Sequence, residues 1–161
     1  PSFAFYPGKD SQMNYDEGIF IGYRWFESQK IKPLFPFGHG LSYTNFAYTD
    51  SRIVPPQNDD SVISCELKIT NTGSLTGKEV VQCYVGMSKS KVERPLKVLK
   101  AFKKVELSPL NSEKVIFNIS ERDLSYWNAE KHCWELESAE YLISIGSSSE
   151  DIRASKKVWL G

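Results

Sequence analysis

Between Asn45 and Leu160, apolar side chains recur at every second position in several short stretches. Ile63, Cys65, Leu67 and Ile69 alternate with Val62, Ser64, Glu66 and Lys68, the pattern of a strand with one face buried. The same phase returns at Val81, Cys83 and Val85 in EVVQCYVG, at Val115, Phe117 and Ile119, and at Tyr141, Ile143 and Ile145. Ile152 to Trp159 adds a last edge strand. Turn-forming residues such as Asn71-Thr72-Gly73 punctuate these runs. About seven strands with such spacing predict an all-β domain, two sheets packed as a sandwich. No long amphipathic helix interrupts them. Ser120 to Leu124 predicts one helical turn with Ser120 as its cap.

Residues 1–44 have another texture. Phe3, Phe5, Tyr6, Tyr15, Phe20, Tyr23, Trp25, Phe26, Phe35, Phe37 and Tyr43 crowd into them without sustained periodicity. Pro33 and Pro36 stiffen the chain and push Lys32 and Phe35 toward extended geometry. Leaving Leu34, Phe35 and Phe37 in water would waste large apolar area, so they are expected to plug a groove between domains. An exposed aromatic segment of this kind is also expected to drive self-association.

The 161 residues suit one domain plus an extension. Twenty basic and twenty acidic residues cancel, so no global field draws the chain to nucleic acid or to a membrane. No apolar run is long enough for a membrane span. The chain starts at Pro1, inside an apparent loop, and is expected to be a piece of a longer protein. Compartment is not encoded; a secreted or periplasmic setting is the expectation.

The run NYDEGIFIGYRWFESQKIKPLFPFGHGLSYT, residues 14–44, resembles the end of the α/β-sandwich domain of glycoside hydrolase family three, the β-glucosidases and their relatives. The resemblance continues in order through ITNTGSLTGKEVVQCYV, RPLKVLKAFKKVEL, DLSYWN and IGSSSEDIR. It implies that residues 45–161 form a fibronectin type III-like (immunoglobulin-like) sandwich. Residues 1–44 would then be the tail of the preceding domain, docking the sandwich on it. The parent would hydrolyse terminal β-linked glucose or a related sugar from oligosaccharides, with retention. In the family the nucleophilic Asp and the acid/base Glu lie upstream of this region, so no catalytic residue is carried over. The implied role is architectural. Ala101, Leu110-Asn111 and Ala139 depart from the pattern where glycine is frequent, which puts local turn geometry in question.

A retaining glycosidase needs two carboxyl groups about 5–5.5 Å apart. Asp16-Glu17 is the tempting pair, but in an extended segment neighbours point to opposite faces. Tyr15, Glu17, Tyr23, Arg24, Phe35 and Phe37 are instead expected to dock domains, with Arg24 pairing Glu17 or bonding to the backbone of an adjoining domain. Gly38-His39-Gly40 is not a dinucleotide loop, because Tyr43 stands where the third glycine belongs. His39 and His132-Cys133 lack the convergent partners of a metal site, and no cofactor motif is present. The basic stretch Lys89 to Lys104 has no reading helix and no stacking aromatics, so a solvated face is expected. Trp127 and Trp134 are expected in core or rim packing, with sugar stacking as the other option. Cys65 and Cys83 read as buried free thiols, a bridge between them staying open. Asn118-Ile119-Ser120 is a glycosylation sequon on the polar phase of its strand. The alternative to a docking domain is a stand-alone carbohydrate-binding or protein-interaction sandwich. Exposed coplanar tryptophans would favour it.

Overall fold

The computed structural model describes residues 6–8 and 10–161. Phe3 and Phe5 lie outside them. A short helix, α1 (Tyr23–Ser28), precedes β1 (Phe46–Val54), β2 (Ser61–Asn71), β3 (Gly77–Met87), β4 (Lys97–Leu107) and β5 (Ser112–Ser120). One helical turn, α2 (Glu121–Leu124), leads to β6 (Tyr126–Asn128), β7 (Cys133–Glu135), β8 (Ala139–Gly146) and β9 (Ile152–Leu160). The long strands form two antiparallel sheets of order β1-β2-β5 and β4-β3-β8-β9, while β6 and β7 pair as a separate hairpin. The two sheets face each other as the all-β sandwich that the alternation predicts.

The inward phase is the predicted one. Ile63, Cys65, Leu67 and Ile69 from β2 meet Val81, Cys83 and Val85 from β3. Val115, Phe117 and Ile119 from β5 and Tyr141, Ile143 and Ile145 from β8 close the core. Each fully buried aliphatic side chain contributes about 1.5–3 kcal/mol over exposure. Val105 and Leu107 of β4 and Leu124 of α2 complete it. The helical turn is capped as expected: Ser120 Oγ accepts from the Asp123 N–H at 3.1 Å, and the Asp123 carboxylate accepts the Ser120 N–H at 3.1 Å.

The polar phase of β2 departs from simple half-burial. Ser64 and Glu66 are buried as well. β2 is the centre of its sheet, so long side chains from both neighbours fold over it. Arg52 of β1 and Lys114 of β5 both pair with Glu66. Ser64 Oγ donates to Asn118 Oδ1 at 2.6 Å and accepts from the Gln57 N–H at 3.1 Å. The turn at Leu110-Asn111 forms without glycine. Leu110 takes φ +64°, and its N–H reaches the Asn71 carbonyl at 3.0 Å.

Candidate interdomain docking surface

The outer face of the four-stranded sheet is not solvated at its centre, because residues 23–44 lie across it. Tyr84 and Gln82, which point away from the core side of β3, are both buried. Tyr84 Oη donates to Gln82 Oε1 at 2.5 Å, and Gln82 Nε2 donates to the Ser147 carbonyl at 2.6 Å. Burial, with Tyr23 and Glu27 beside it, pushes the Tyr84 phenol above its ordinary range. Gly38, at φ +83°, sits directly over the Gln82 amide, where any Cβ would collide.

Four anchors hold the crossing segment. The Tyr23 ring stacks on Phe37 at 5.1 Å and meets Tyr84 edge-on at 5.9 Å. Its hydroxyl oxygen accepts the Leu99 N–H at 2.8 Å, at a point where β4 bulges against β3. The Phe37 carbonyl accepts the Ser149 N–H at 2.8 Å. Glu27 of α1 forms an ion pair with Lys97 of β4. At the far end Thr44 is buried and donates to Asn71 Oδ1 at 2.6 Å.

The predicted docking residues therefore separate into two groups. Tyr23 and Phe37 are joined and dock on the sandwich itself. Tyr15 (76% exposed) and Phe35 (66% exposed) point away from it, Phe35 stacking only on His39 at 5.3 Å. Arg24 lies 5.9 Å from the Tyr23 ring, and the expected Arg24–Glu17 ion pair is absent among the described residues. Asp16-Glu17 sit in a turn rather than an extended segment, with Gly18 N–H on the Tyr15 carbonyl (3.1 Å) and Phe20 N–H on the Glu17 carbonyl (3.0 Å). Leu34, Leu41 and Tyr43 stand almost wholly in solvent, Tyr43 at 98%.

Three polar hubs escaped the sequence reading. Asn71, read only as a turn residue, is fully buried; its amide donates to Leu75 and Leu107 carbonyls at 2.7 and 2.8 Å. Glu137 is buried and takes Ser90 Oγ (2.7 Å), the Lys91 N–H (2.7 Å) and Arg94 Nε (3.0 Å). Burial works against its charge, but those donors outweigh it and hold the carboxyl below its usual value. Tyr48 Oη donates to Glu79 at 2.8 Å beneath Arg153. The N-T-G turn signature was the only sequence signal for any of these.

The stretch from Lys89 to Lys104 is only partly the solvated face that was expected. Arg94 and Lys97 are drawn into the pairs with Glu137 and Glu27, and burial lowers the Lys100 ammonium. Trp127 and Trp134 pair across the β6–β7 hairpin, half-exposed on the rim rather than in the core. Their rings tilt by 59°, and the Arg122 guanidinium covers the Trp134 ring. They form no flat platform for a sugar. Asn118 is exposed. Cys65, Cys83 and Cys133 are free thiols. Among the described residues no cluster of His, Cys, Asp and Glu suits a metal ion, and no helix is long and apolar enough to cross a membrane.

Two antiparallel sheets of three and four strands, crossed by an aromatic leader, define a fibronectin type III-like sandwich. The family model of the fibronectin type III-like domain matches residues 79–149. Thermostable β-glucosidase B of Acetivibrio thermocellus is 46% identical over 153 residues, covering 94% of this chain and 20% of that protein. β-Glucosidase BoGH3A of Bacteroides ovatus is 40% identical over 149 residues, again with 20% of its length matched. Among solved structures, the GH3 β-glucosidase of Bifidobacterium adolescentis superposes with a TM-score of 0.92 at 35% identity, over 99% of this chain and 23% of that one. The chain thus spans about a fifth of the length of the relatives it matches. It belongs to glycoside hydrolase family three, as the part that carries the fibronectin type III-like domain.

Proposed function

We propose that residues 45–161 are the noncatalytic sandwich domain of a β-glucosidase-type hydrolase and that residues 1–44 are the tail of the domain before it. The parent would remove terminal β-linked glucosyl or related residues from oligosaccharides with retention, using carboxylates that lie outside this chain. The chain's own work is to buttress the catalytic domains. One observation carries this reading: the leader is anchored on the sandwich by Tyr23, Phe37 and Thr44, yet holds Leu34, Phe35, Leu41 and Tyr43 out in water. Four large apolar side chains left in water within residues 34–43 are the material of a surface that another body covers. Tyr15, Glu17, Arg24 and Phe35 then face the adjoining domain, while Tyr23 and Phe37 fix the leader beneath them. In the isolated chain the same surface drives self-association. Asn118 is exposed on β5 and open to glycosylation in a host that modifies sequons.

The test separates the two halves of the parent. This chain and the upstream catalytic portion are produced as separate proteins and mixed. Association is expected, and Phe35→Ala with Tyr43→Ala weakens it about 10-fold or more, as for aromatic anchors in an interface. The chain alone releases no nitrophenol from an aryl β-glucoside. No association, or association indifferent to both substitutions, would overturn the docking role. Turnover that copurifies with this polypeptide would overturn the noncatalytic one.

A further inference from the structure

Cys65 lies on β2 of the three-stranded sheet and Cys83 on β3 of the four-stranded sheet. Both point into the sandwich, both are at most 1% exposed, and their sulfurs are 4.0 Å apart. They are the only two thiols in the core; Cys133 is exposed on the hairpin strand β7. The surrounding side chains are apolar, with Leu67, Val81 and Phe117 in the same cluster. Neither thiol contributes to the docking surface, and an ordinary small apolar residue would fill either position.

We propose that Cys65 and Cys83 are a disulfide-forming pair that staples the two sheets together when the chain folds in the presence of a small disulfide oxidant such as glutathione disulfide. The two positions are brought together by the fold itself. Moving from 4.0 Å to a bond of about 2.05 Å asks for about 2 Å, shared between the two side-chain torsions and a slight approach of the sheets. The closed core admits no glutathione, so the exchange takes place before the sheets close. The thiolate of one cysteine attacks a sulfur of glutathione disulfide, forming a mixed disulfide and releasing one glutathione thiolate. As β2 and β3 come together the second cysteine loses its proton to solvent, attacks the protein sulfur of the mixed disulfide and releases the second glutathione. Two protein thiols are oxidised, one glutathione disulfide is reduced to two glutathiones, and the electrons balance. The bridge spans 18 residues of chain, so it removes a substantial part of the unfolded chain's freedom. It lies on the opposite face of β3 from Gln82 and Tyr84, so it strengthens the sandwich without altering the floor on which the leader rests.

The experiment uses the full chain carrying Cys133→Ser, refolded either in a glutathione redox buffer or with excess dithiothreitol. The oxidised sample is expected to be lighter by two hydrogens and to yield a single Cys65–Cys83 peptide on digestion. It should melt about 5–10 °C above the reduced sample. Adding Cys65→Ala should abolish both the mass difference and the dependence of melting on redox buffer. Should that variant fail to fold, the oxidised and reduced samples of the Cys133→Ser chain decide the matter alone. Full alkylation of both thiols after denaturing the oxidised sample would overturn the proposal. So would a bridged form that melts at or below the reduced one.

Discussion

Residues 46–160 and residues 6–44 treat the same kinds of side chain in opposite ways. In the sandwich, Ile63, Leu67, Val81, Val115 and Ile145 each find a partner in the facing sheet, and the core closes on itself. In the leader, Tyr15, Leu34, Leu41 and Tyr43 find none, and α1 contains no buried residue. The leader keeps its place through a few directional contacts, at Tyr23, Glu27, Phe37 and Thr44. The sandwich is therefore held by many weak apolar contacts. The leader's position is set by a handful of specific bonds, which leaves its remaining apolar surface available to another body.

The comparison is most severely tested in the core. Leu67→Ala removes a fully buried side chain at the centre of β2 and should cost about 2–5 kcal/mol in denaturant unfolding. A cost below 1 kcal/mol would mean that the sandwich does not rest on its core.

Glu137→Gln comes next, at about 2–3 kcal/mol, since it strips charge from an acceptor buried among Ser90, Lys91 and Arg94. The sign of its pH dependence follows from the lowered carboxyl. The folded state holds the proton less tightly than the unfolded chain does, so this contribution is complete above the ordinary value of 4.5. It drains away as pH falls from there through the folded value. Melting scans between acid and neutral pH should therefore steepen for the natural chain relative to Glu137→Gln below that point; parallel curves would contradict the assignment.

The smallest effect belongs to the leader. Tyr23→Phe deletes the acceptor for the Leu99 N–H and should cost about 1 kcal/mol, felt locally. Amide exchange should quicken at Leu99 and along residues 23–44 while β2 and β5 stay protected. Equal loosening of both regions would show that leader and sandwich unfold as one unit.

The core was legible because a strand's two faces alternate along the chain, so Ile63 to Ile69 declared their burial without any knowledge of topology. The leader was legible only as a class of surface. Nothing in its spacing distinguishes Tyr23, which is tied down, from Tyr15, which is not; that depends on where the chain crosses the Gln82–Tyr84 floor. Asn71 and Glu137 were missed for a related reason. Each gathers groups from segments far apart in sequence, and a convergence of that sort leaves no periodic trace. At Leu110 the absence of glycine raised doubt about the turn, yet a leucine takes the left-handed backbone there, with its N–H on the Asn71 carbonyl and the Asn71 N–H on the Asn111 carbonyl.

The bulge in β4 gives the Tyr23–Leu99 bond a further meaning. The leader is attached to a backbone amide, which no substitution in β4 can delete short of proline. That amide stands beside the irregularity between Cys83 and Tyr84, on the edge strand of the sheet. Strand register thus acts as a ruler for the leader: if β4 slipped by a residue, the mark that Tyr23 reads would move with it, and the leader would be set down about one residue length away from its seat.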